Sequence, residues 1–257
     1  MTETAKPGNV LVTGAARRIG RAIALDFAEA GWGVAVHYDT SEAEARAVTE
    51  EAIATGARAV VLKCDLADEA AVDALIGRAA DALGPLNCLV NNAARFDYDS
   101  ADSVTRESWD AHMEANLRAP FVLTQNFAAA LPEAATGNVI NLLDQRVWNL
   151  TPHFISYTLS KAGLWTLTRT LALALAPRIR VNAIGPGPTL PSARQTEAQF
   201  QHQAESTPLG RAATPEEICA AIRFILAAPT MTGQMIGLDG GQHLGWASAG
   251  PADIGPE

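Results

Sequence analysis

Lysine is almost missing from this chain: its 257 residues hold Lys6, Lys63 and Lys161 and no other. With arginine they make 19 cations against 28 acids, a formal net charge of −9. That balance excludes the basic footprint by which proteins hold phosphate backbones or anionic membranes, so no nucleic-acid partner is expected. Cysteine is scarce as well. Cys64, Cys88 and Cys219 are odd in number and widely spaced, a pattern with neither a disulfide framework nor a metal-ligand set. They read as buried thiols of a reducing compartment, and no metal is expected. No run of about 18 apolar residues appears, and the opening MTETAKPGNV has no apolar signal region, so a membrane span is not expected and the cytoplasm is the expected location.

What the chain does have is apolar material for a core, 48% hydrophobic residues beside 18% charged ones. Short β-branched runs alternate with longer helical patterns, the order that a parallel sheet covered by helices requires. Strands are expected at Val10–Val12, Val34–Tyr38, Ala59–Lys63, Cys88–Val90, Val139–Leu143, Arg180–Ile184 and Met235–Leu238. Helices are expected at Ile19–Ala30, Glu42–Thr55, Glu69–Leu83, Glu107–Leu131, Phe154–Ala176 and Pro215–Ala227. Gly31, Gly56 and Gly84 each follow a helix, where a left-handed cap residue belongs. The fold class is therefore α/β: one doubly wound parallel sheet of about seven strands with the Rossmann order, helices on both faces, spanning residues 1–246. Residues 247–257, rich in Ala, Gly and Pro, read as a C-terminal tail.

Directly after the first strand comes Thr13-Gly14-Ala15-Ala16-Arg17-Arg18-Ile19-Gly20, running into a helix. Gly14 can make the tight turn, Gly20 lets helix and strand approach, and the free amides at the helix start suit a pyrophosphate. Arg18 stands where a middle glycine is usual. Beside Arg17 it favours a cofactor carrying a 2′-phosphate. The second strand ends in His37-Tyr38-Asp39-Thr40-Ser41, where Asp39 argues for NAD(H) while Arg18 and Ser41 argue for NADP(H). NADP(H) is the favoured expectation and NAD(H) the alternative. Asp65, next to Leu66 after the third strand, is open to two readings, acceptor for an adenine amino group or helix cap.

Tyr157 and Lys161 lie four apart on an expected helix and so share a face. A phenol with its ordinary pKa of about 10 is a poor base at neutral pH, but a neighbouring ammonium stabilises the phenolate and lowers that value. Such a tyrosine can exchange a proton with a substrate while hydride moves to or from a nicotinamide.

Thr13 to Gly20, Asn91-Asn92-Ala93, Asn116, and Tyr157 with Lys161 resemble the short-chain dehydrogenase/reductase family, from Val10 to about Gly241. The resemblance implies Tyr157 as general acid/base, Lys161 as its modulator and ribose ligand, Asn116 as holder of a proton-relay water, and Asn91 in a sheet-stabilising turn. It implies cofactor contacts from Gly14, Arg17, Arg18, Ile19, Gly20, His37, Tyr38, Ser41, Asp65, Leu66, Asn92, Ala93, Tyr157, Lys161, Pro186, Gly187 and Thr189. Most members have a serine thirteen residues before the tyrosine; here that place is Asp144. An ionised carboxylate has no proton with which to stabilise an alkoxide, but it can accept from a substrate amino group, or donate if burial keeps it protonated.

In this the chain is similar to the pteridine reductases, as it is in Arg18, His37-Tyr38 with Ser41, Phe96 and Gly185-Pro186-Gly187. The likeness implies that Phe96 stacks a pterin against nicotinamide, and that Asp144 and Tyr157 protonate its ring. Asp39, Thr40, Ala94 and Arg95 depart from that pattern. The expected activity is hydride transfer to a small molecule, a pteridine in the first reading and a carbonyl, quinone or secondary alcohol in the second. A non-catalytic dinucleotide-binding redox sensor is the rival from another class; it does not need the retained Tyr157 and Lys161. Leu190–Ser206 is expected to cover the substrate. The long helices carry apolar residues on more than one side, and by resemblance a homotetramer is expected, with Gly240 to Trp246 reaching a partner's site.

Overall fold

The computed structural model describes residues 7–192 and 194–245. Its strands are β1 (Asn9–Val12), β2 (Gly33–Tyr38), β3 (Ala59–Lys63), β4 (Cys88–Asn91), β5 (Gly137–Leu142), β6 (Ile179–Pro186) and β7 (Met235–Leu238). They form one seven-stranded sheet in the order β3-β2-β1-β4-β5-β6-β7. Every pairing is parallel: Val10 lies opposite Val34 on one side and Cys88 on the other. The chain winds outward from β1 to β3 and then returns to place β4 beside β1. The order of winding thus reverses at the carboxyl ends of β1 and β4, where a crevice opens in such sheets.

Helices cover both faces: α1 (Arg18–Glu29), α2 (Glu42–Ala54), α3 (Glu69–Leu83), α4 (Arg106–Met113), α5 (Ala119–Ala130), α6 (Ile155–Leu175), α7 (Glu197–Glu205) and α8 (Pro215–Ala227). Side chains alternate along each strand, so Val10, Val12, Val34 and Val36 meet Ile23 and Phe27 of α1 and Ile222 of α8, while Leu11, Ala35 and Leu89 meet Leu75 of α3 and Leu123 of α5. Both faces being covered explains why the strands read as continuous apolar runs. Each such side chain removed from water contributes about 1.5–3 kcal/mol. The three thiols are buried and unpaired; burial pushes Cys64 up to about 11 and Cys219 to about 12.

The expected helix Glu107–Leu131 is corrected: it is two α-helices joined by a π-helical turn, Glu114–Arg118. Pro120 in the first turn of α5 is the reason, since proline has no N–H for the carbonyl four residues back and the ladder must widen before it. In the polar stretch Leu190–Ser206, Thr196 and Gln199 form a capping box that starts α7. Gly31, Gly56 and Gly84 are left-handed with φ of 80°, 91° and 91°. Among the described residues no helix is long and apolar enough to cross a membrane. Lys6, Trp246 and the expected tail, 247–257, lie outside the described residues.

Candidate active site

The turn after β1 is held by side chains rather than by its own backbone. Thr13 Oγ1 accepts from the Asn92 and Ala93 amides, both at 3.0 Å, and Asn92 Nδ2 donates to Thr13 O at 2.8 Å. Gly14 has φ of +62°. Its amide donates to His37 Nδ1 at 3.0 Å, which leaves the proton on Nε2, 3.0 Å from Cys64 O. His37 is 1% exposed, and burial lowers its pKa to about 4. The expectation of a cofactor contact at His37 is thereby corrected: both ring nitrogens are taken, and the ring braces the turn from behind. Gly20 allows α1 to approach, because a Cβ there would collide with the Gly14 carbonyl.

No side chain caps α1, whose first turn faces a cavity lined by Gly14, Arg17, Ile19, Gly20, Tyr38, Asp39, Ser41, Asn92 and Ala93. Unpaired helix amides with Arg17 beside them are a donor set that fits a dinucleotide's phosphates. Arg17 is loosely held, 3.8 Å from Glu44 across exposed surface. Arg18 lines the same cavity with a different task. Its φ is +57°, the left-handed conformation that a glycine would adopt freely, and its guanidinium donates to Pro191 O at 2.6 Å and Leu190 O at 3.1 Å. Its guanidinium therefore ties the turn to the segment expected to cover substrate, while Arg17 lines the cavity from its exposed side. Asp65 and Leu66 do not line the cavity: the Asp65 carboxylate accepts from Ala67 N at 2.9 Å, Asp68 is the cap of α3, and Leu66 is in the core.

A second cavity of ≈ 320 Å³ opens where β4, β5 and β6 end. Tyr157 and Lys161 face it from α6, one turn apart. Tyr157 Oη donates to Asp144 Oδ2 at 2.9 Å, and Asp144 Oδ1 accepts from Arg146 N at 2.8 Å. Lys161 Nζ donates to Leu142 O at 2.7 Å and lies 5.9 Å from the Tyr157 ring centre. Burial raises Asp144 above the usual carboxylate range. Burial, then the Asp144 charge, holds Tyr157 well above an ordinary phenol. The expectation that Lys161 lowers the tyrosine is corrected in direction, because desolvation acts on the whole phenolate while the ammonium is not in contact with its oxygen. Burial lowers Lys161 itself to about 8. The site thus keeps Tyr157 protonated at neutral pH, the state of a proton donor.

Aromatic rings wall the cavity. Phe96 stacks on Phe154 at 4.5 Å and meets Tyr157 edge-on at 4.6 Å. Arg194 lies 4.9 Å over Phe96 and donates to its carbonyl at 2.7 Å, so the covering segment rests on this wall. Pro186, Gly187 and Thr189 line the far side; a Cβ on Gly187 would come 2.8 Å from Asp239 Cα. Asn116 does not line the cavity. It sits in the π-helical turn, fully buried, accepting from Arg95 N at 2.7 Å and donating to Arg95 O at 2.9 Å and Ser160 Oγ at 3.0 Å. Asn91 donates to Asn141 Oδ1 at 2.8 Å, tying β4 to β5. Sequence reading missed Arg146 and Phe154 as lining residues; their places two after Asp144 and three before Tyr157 were the available signal.

A family described as enoyl-(acyl carrier protein) reductase matches residues 14–243. The chain is similar to the FolM alternative dihydrofolate reductase 1 of Brucella suis, solved in complex with NADP: 46% identity, TM-score 0.92, covering 98% of this chain and 100% of that one. A short-chain dehydrogenase of Burkholderia cenocepacia, also solved with NADP, has 32% identity and TM-score 0.87 over 93% of this chain and 99% of its own. The 3-oxoacyl-[acyl-carrier-protein] reductase of Synechocystis is 33% identical over 90% of this chain and 95% of its own.

Proposed function

This chain belongs to the short-chain dehydrogenase/reductase family, and from that footing we propose that it reduces a pteridine with NADPH, Tyr157 and Asp144 supplying the protons. It is an NADP(H)-dependent oxidoreductase. The observation that carries the pteridine reading is the buried Asp144 carboxyl bonded to Tyr157 Oη at 2.9 Å, in the place where a carbonyl reductase needs a hydroxyl. A carboxyl pushed toward its neutral form can give a hydrogen bond to a ring nitrogen, and in its charged form it can accept from an exocyclic amino group. A simple ketone can accept from the neutral form but has no amino group to give to the charged one. The flat wall of Phe96 and Phe154 suits a planar heterocycle, and the similarity to an alternative dihydrofolate reductase supports the same class.

The phosphates of the cofactor are assigned to the first-turn amides of α1, with Arg17 and Ser41 at the ribose end; Asn92, Ala93, Pro186, Gly187 and Thr189 line the path toward Tyr157. When bound, NADPH supplies the hydride. Tyr157, held protonated, gives its proton to the reduced substrate, and the cations facing the phenolate that remains are Arg146 and Lys161, the latter 5.9 Å from the ring centre. Asp144 orients the substrate and the tyrosine together. We read the chain as one domain through residue 246, cytoplasmic, and assembled as a homotetramer; exposed Leu159 and Leu173 on α6 and Phe224 on α8 support assembly.

The test is oxidation of NADPH and of NADH by the purified protein with dihydrobiopterin and dihydrofolate, beside a panel of quinones and diketones. Turnover of the pterins with NADPH is the expected result. Activity confined to carbonyl compounds would leave the family in place and remove the pteridine reading.

A further inference from the structure

Beneath the aromatic wall lies a second buried polar cluster: Asp99, His112 and Ser156, exposed by 1%, 0% and 0%. These are the residue types of a hydrolytic triad, but the protons run the wrong way for one. The Asp97 amide donates to His112 Nε2 at 3.0 Å, so that nitrogen carries no proton and Nδ1 does. Nδ1 lies 2.7 Å from Ser156 Oγ and 2.9 Å from Ser108 O, and it donates toward both. The Ser156 hydroxyl then gives its own proton to Asp99 Oδ2. The serine is thus a donor to the acid and an acceptor from the histidine, the reverse of an activated nucleophile.

The chain of donors has one direction, from Asp97 N–H through His112 and Ser156 to Asp99, and both of its ends lie on the loop that carries Phe96. Asp99 Oδ1 also accepts from Ser156 N at 3.3 Å, Asp99 Oδ2 from Ser108 Oγ at 3.3 Å, and Asp99 O from Phe154 N at 2.7 Å. Phe154 is the left-handed residue, φ +57°, from which α6 starts. Asp99, from a remote loop, therefore caps the helix that bears Tyr157, its carboxylate taking the Ser156 amide and its backbone carbonyl the Phe154 amide. Phe96 is held between Arg95, gripped by Asn116, and Asp97, gripped by His112.

We infer that the His112–Ser156–Asp99 relay is a positioning device: it sets the Phe96 ring and the Tyr157 hydroxyl in register, and so selects planar substrates. None of the three lines either cavity. Hydrogen bonds in such a buried series reinforce one another, and the loss of one leaves partners unsatisfied. The inference rests on the reading of Tyr157 as proton donor and Phe96 as substrate wall.

The test compares Ser156→Ala with wild type on a planar substrate (dihydrobiopterin, or a bicyclic quinone if the pterin is not turned over) and on an acyclic diketone. NADPH affinity is followed by fluorescence. Ser156→Ala is expected to lower kcat/KM for the planar substrate about tenfold or more, a displacement of part of an ångström, with a clearly smaller loss on the diketone and NADPH affinity unchanged. Ser156→Thr, which restores a hydroxyl, is expected to recover most of the planar activity. Equal losses on both substrates, or a loss of NADPH affinity in proportion, would overturn the inference in favour of simple structural support. Should Ser156→Ala not fold, Asp99→Asn keeps an acceptor for the Ser156 amide, and the same split between substrates decides. Two-bond proton–nitrogen correlation spectra of wild type are expected to show His112 protonated at Nδ1 and bare at Nε2; the opposite tautomer would overturn the relay with no substrate present. An absence of pterin turnover in wild type would count against the proposed function alone.

Discussion

Replacing Arg18 by glycine tests how the phosphate-binding turn is joined to the substrate-covering segment. Arg18 holds φ at +57°, a conformation that costs a side chain with a Cβ about 1–2 kcal/mol. Glycine removes that cost but adds about 0.5–1 kcal/mol of unfolded-chain entropy. The two guanidinium bonds to Leu190 and Pro191 are exposed, and their loss subtracts about 0.5–1.5 kcal/mol each. At the centre of these ranges Arg18→Gly should lie about 1 kcal/mol below wild type, a fall in melting temperature of about 2–4 °C for a chain of this length. Arg18→Ala loses the same bonds and keeps the strain, so it should melt below the glycine variant, the reverse of the usual ranking within a helix. The local effect is larger. Residues 190 and 191 lose both anchors to the turn, and tryptic cleavage after Arg194 should accelerate about tenfold, the factor that 1.4 kcal/mol of lost closure implies. Differential scanning fluorimetry and a proteolysis time course read the two quantities. Melting lowered by more than about 10 °C, an alanine variant more stable than the glycine one, or unchanged cleavage at Arg194 would refute the reasoning.

Tyr157→Phe should abolish turnover while NADPH binding, followed by fluorescence, stays intact; full retained turnover would overturn the mechanism. Asp144→Ser should weaken turnover of a pterin yet tolerate or improve that of a simple carbonyl, and the opposite ranking in a two-substrate assay removes the pteridine reading. Lys161, lowered by burial to about 8, is charged below that pH, so kcat/KM should fall as pH rises through it. The Asp144 charge raises Lys161, so in Asp144→Asn the alkaline limb should move to lower pH; a limb moving upward would contradict the assignment. His37, depressed from 6.5 to about 4 by burial, stays neutral in the fold while the unfolded chain takes up a proton, so stability should fall as pH drops from 6.5 toward 4. The loss amounts to about 3 kcal/mol by linkage. His37→Asn should flatten that slope in urea titrations at pH 6.5 and 4.5, and an unchanged slope would exonerate the histidine.

The strands were legible because both faces of the sheet are covered, which leaves runs such as Val10–Val12 and Val34–Val36 without a polar interruption. Tyr157 and Lys161 were legible because helical spacing alone puts them on one face. Features that depend on contacts across the chain were not. The Arg18 side chain looks like a phosphate ligand in sequence, and only the fold brings it to carbonyls 172 and 173 residues away. His37 sits at the right place along β2, but whether its ring faces the cavity or the turn is set by the neighbouring strands. The direction in which Tyr157 shifts was misjudged for a related reason: spacing reveals Lys161 and says nothing of burial or of Asp144 Oδ2. Asp99 and Ser156 are 57 residues apart, and no local pattern joins them. The π-helical turn, by contrast, had a visible sign in Pro120.

That turn has a consequence for anyone who would redesign the enzyme. An α-helix fixes the angular phase of each residue relative to the one before, so a single uninterrupted helix from Arg106 to Ala130 could aim His112 and Asn116 at the loop beside Phe96, or Val122 and Phe127 at the sheet, with no freedom to adjust one against the other. The widened turn at Glu114–Arg118 uncouples the two aims, as a spacer does between gears cut to different pitches. Deleting one residue there would convert the widened turn into regular α-helix. It would also rotate everything downstream by about 100° and force a choice between a packed core and an aligned site. Homologues that lengthen or shorten this segment should therefore be read as having retuned the site, even where every residue touching substrate is the same.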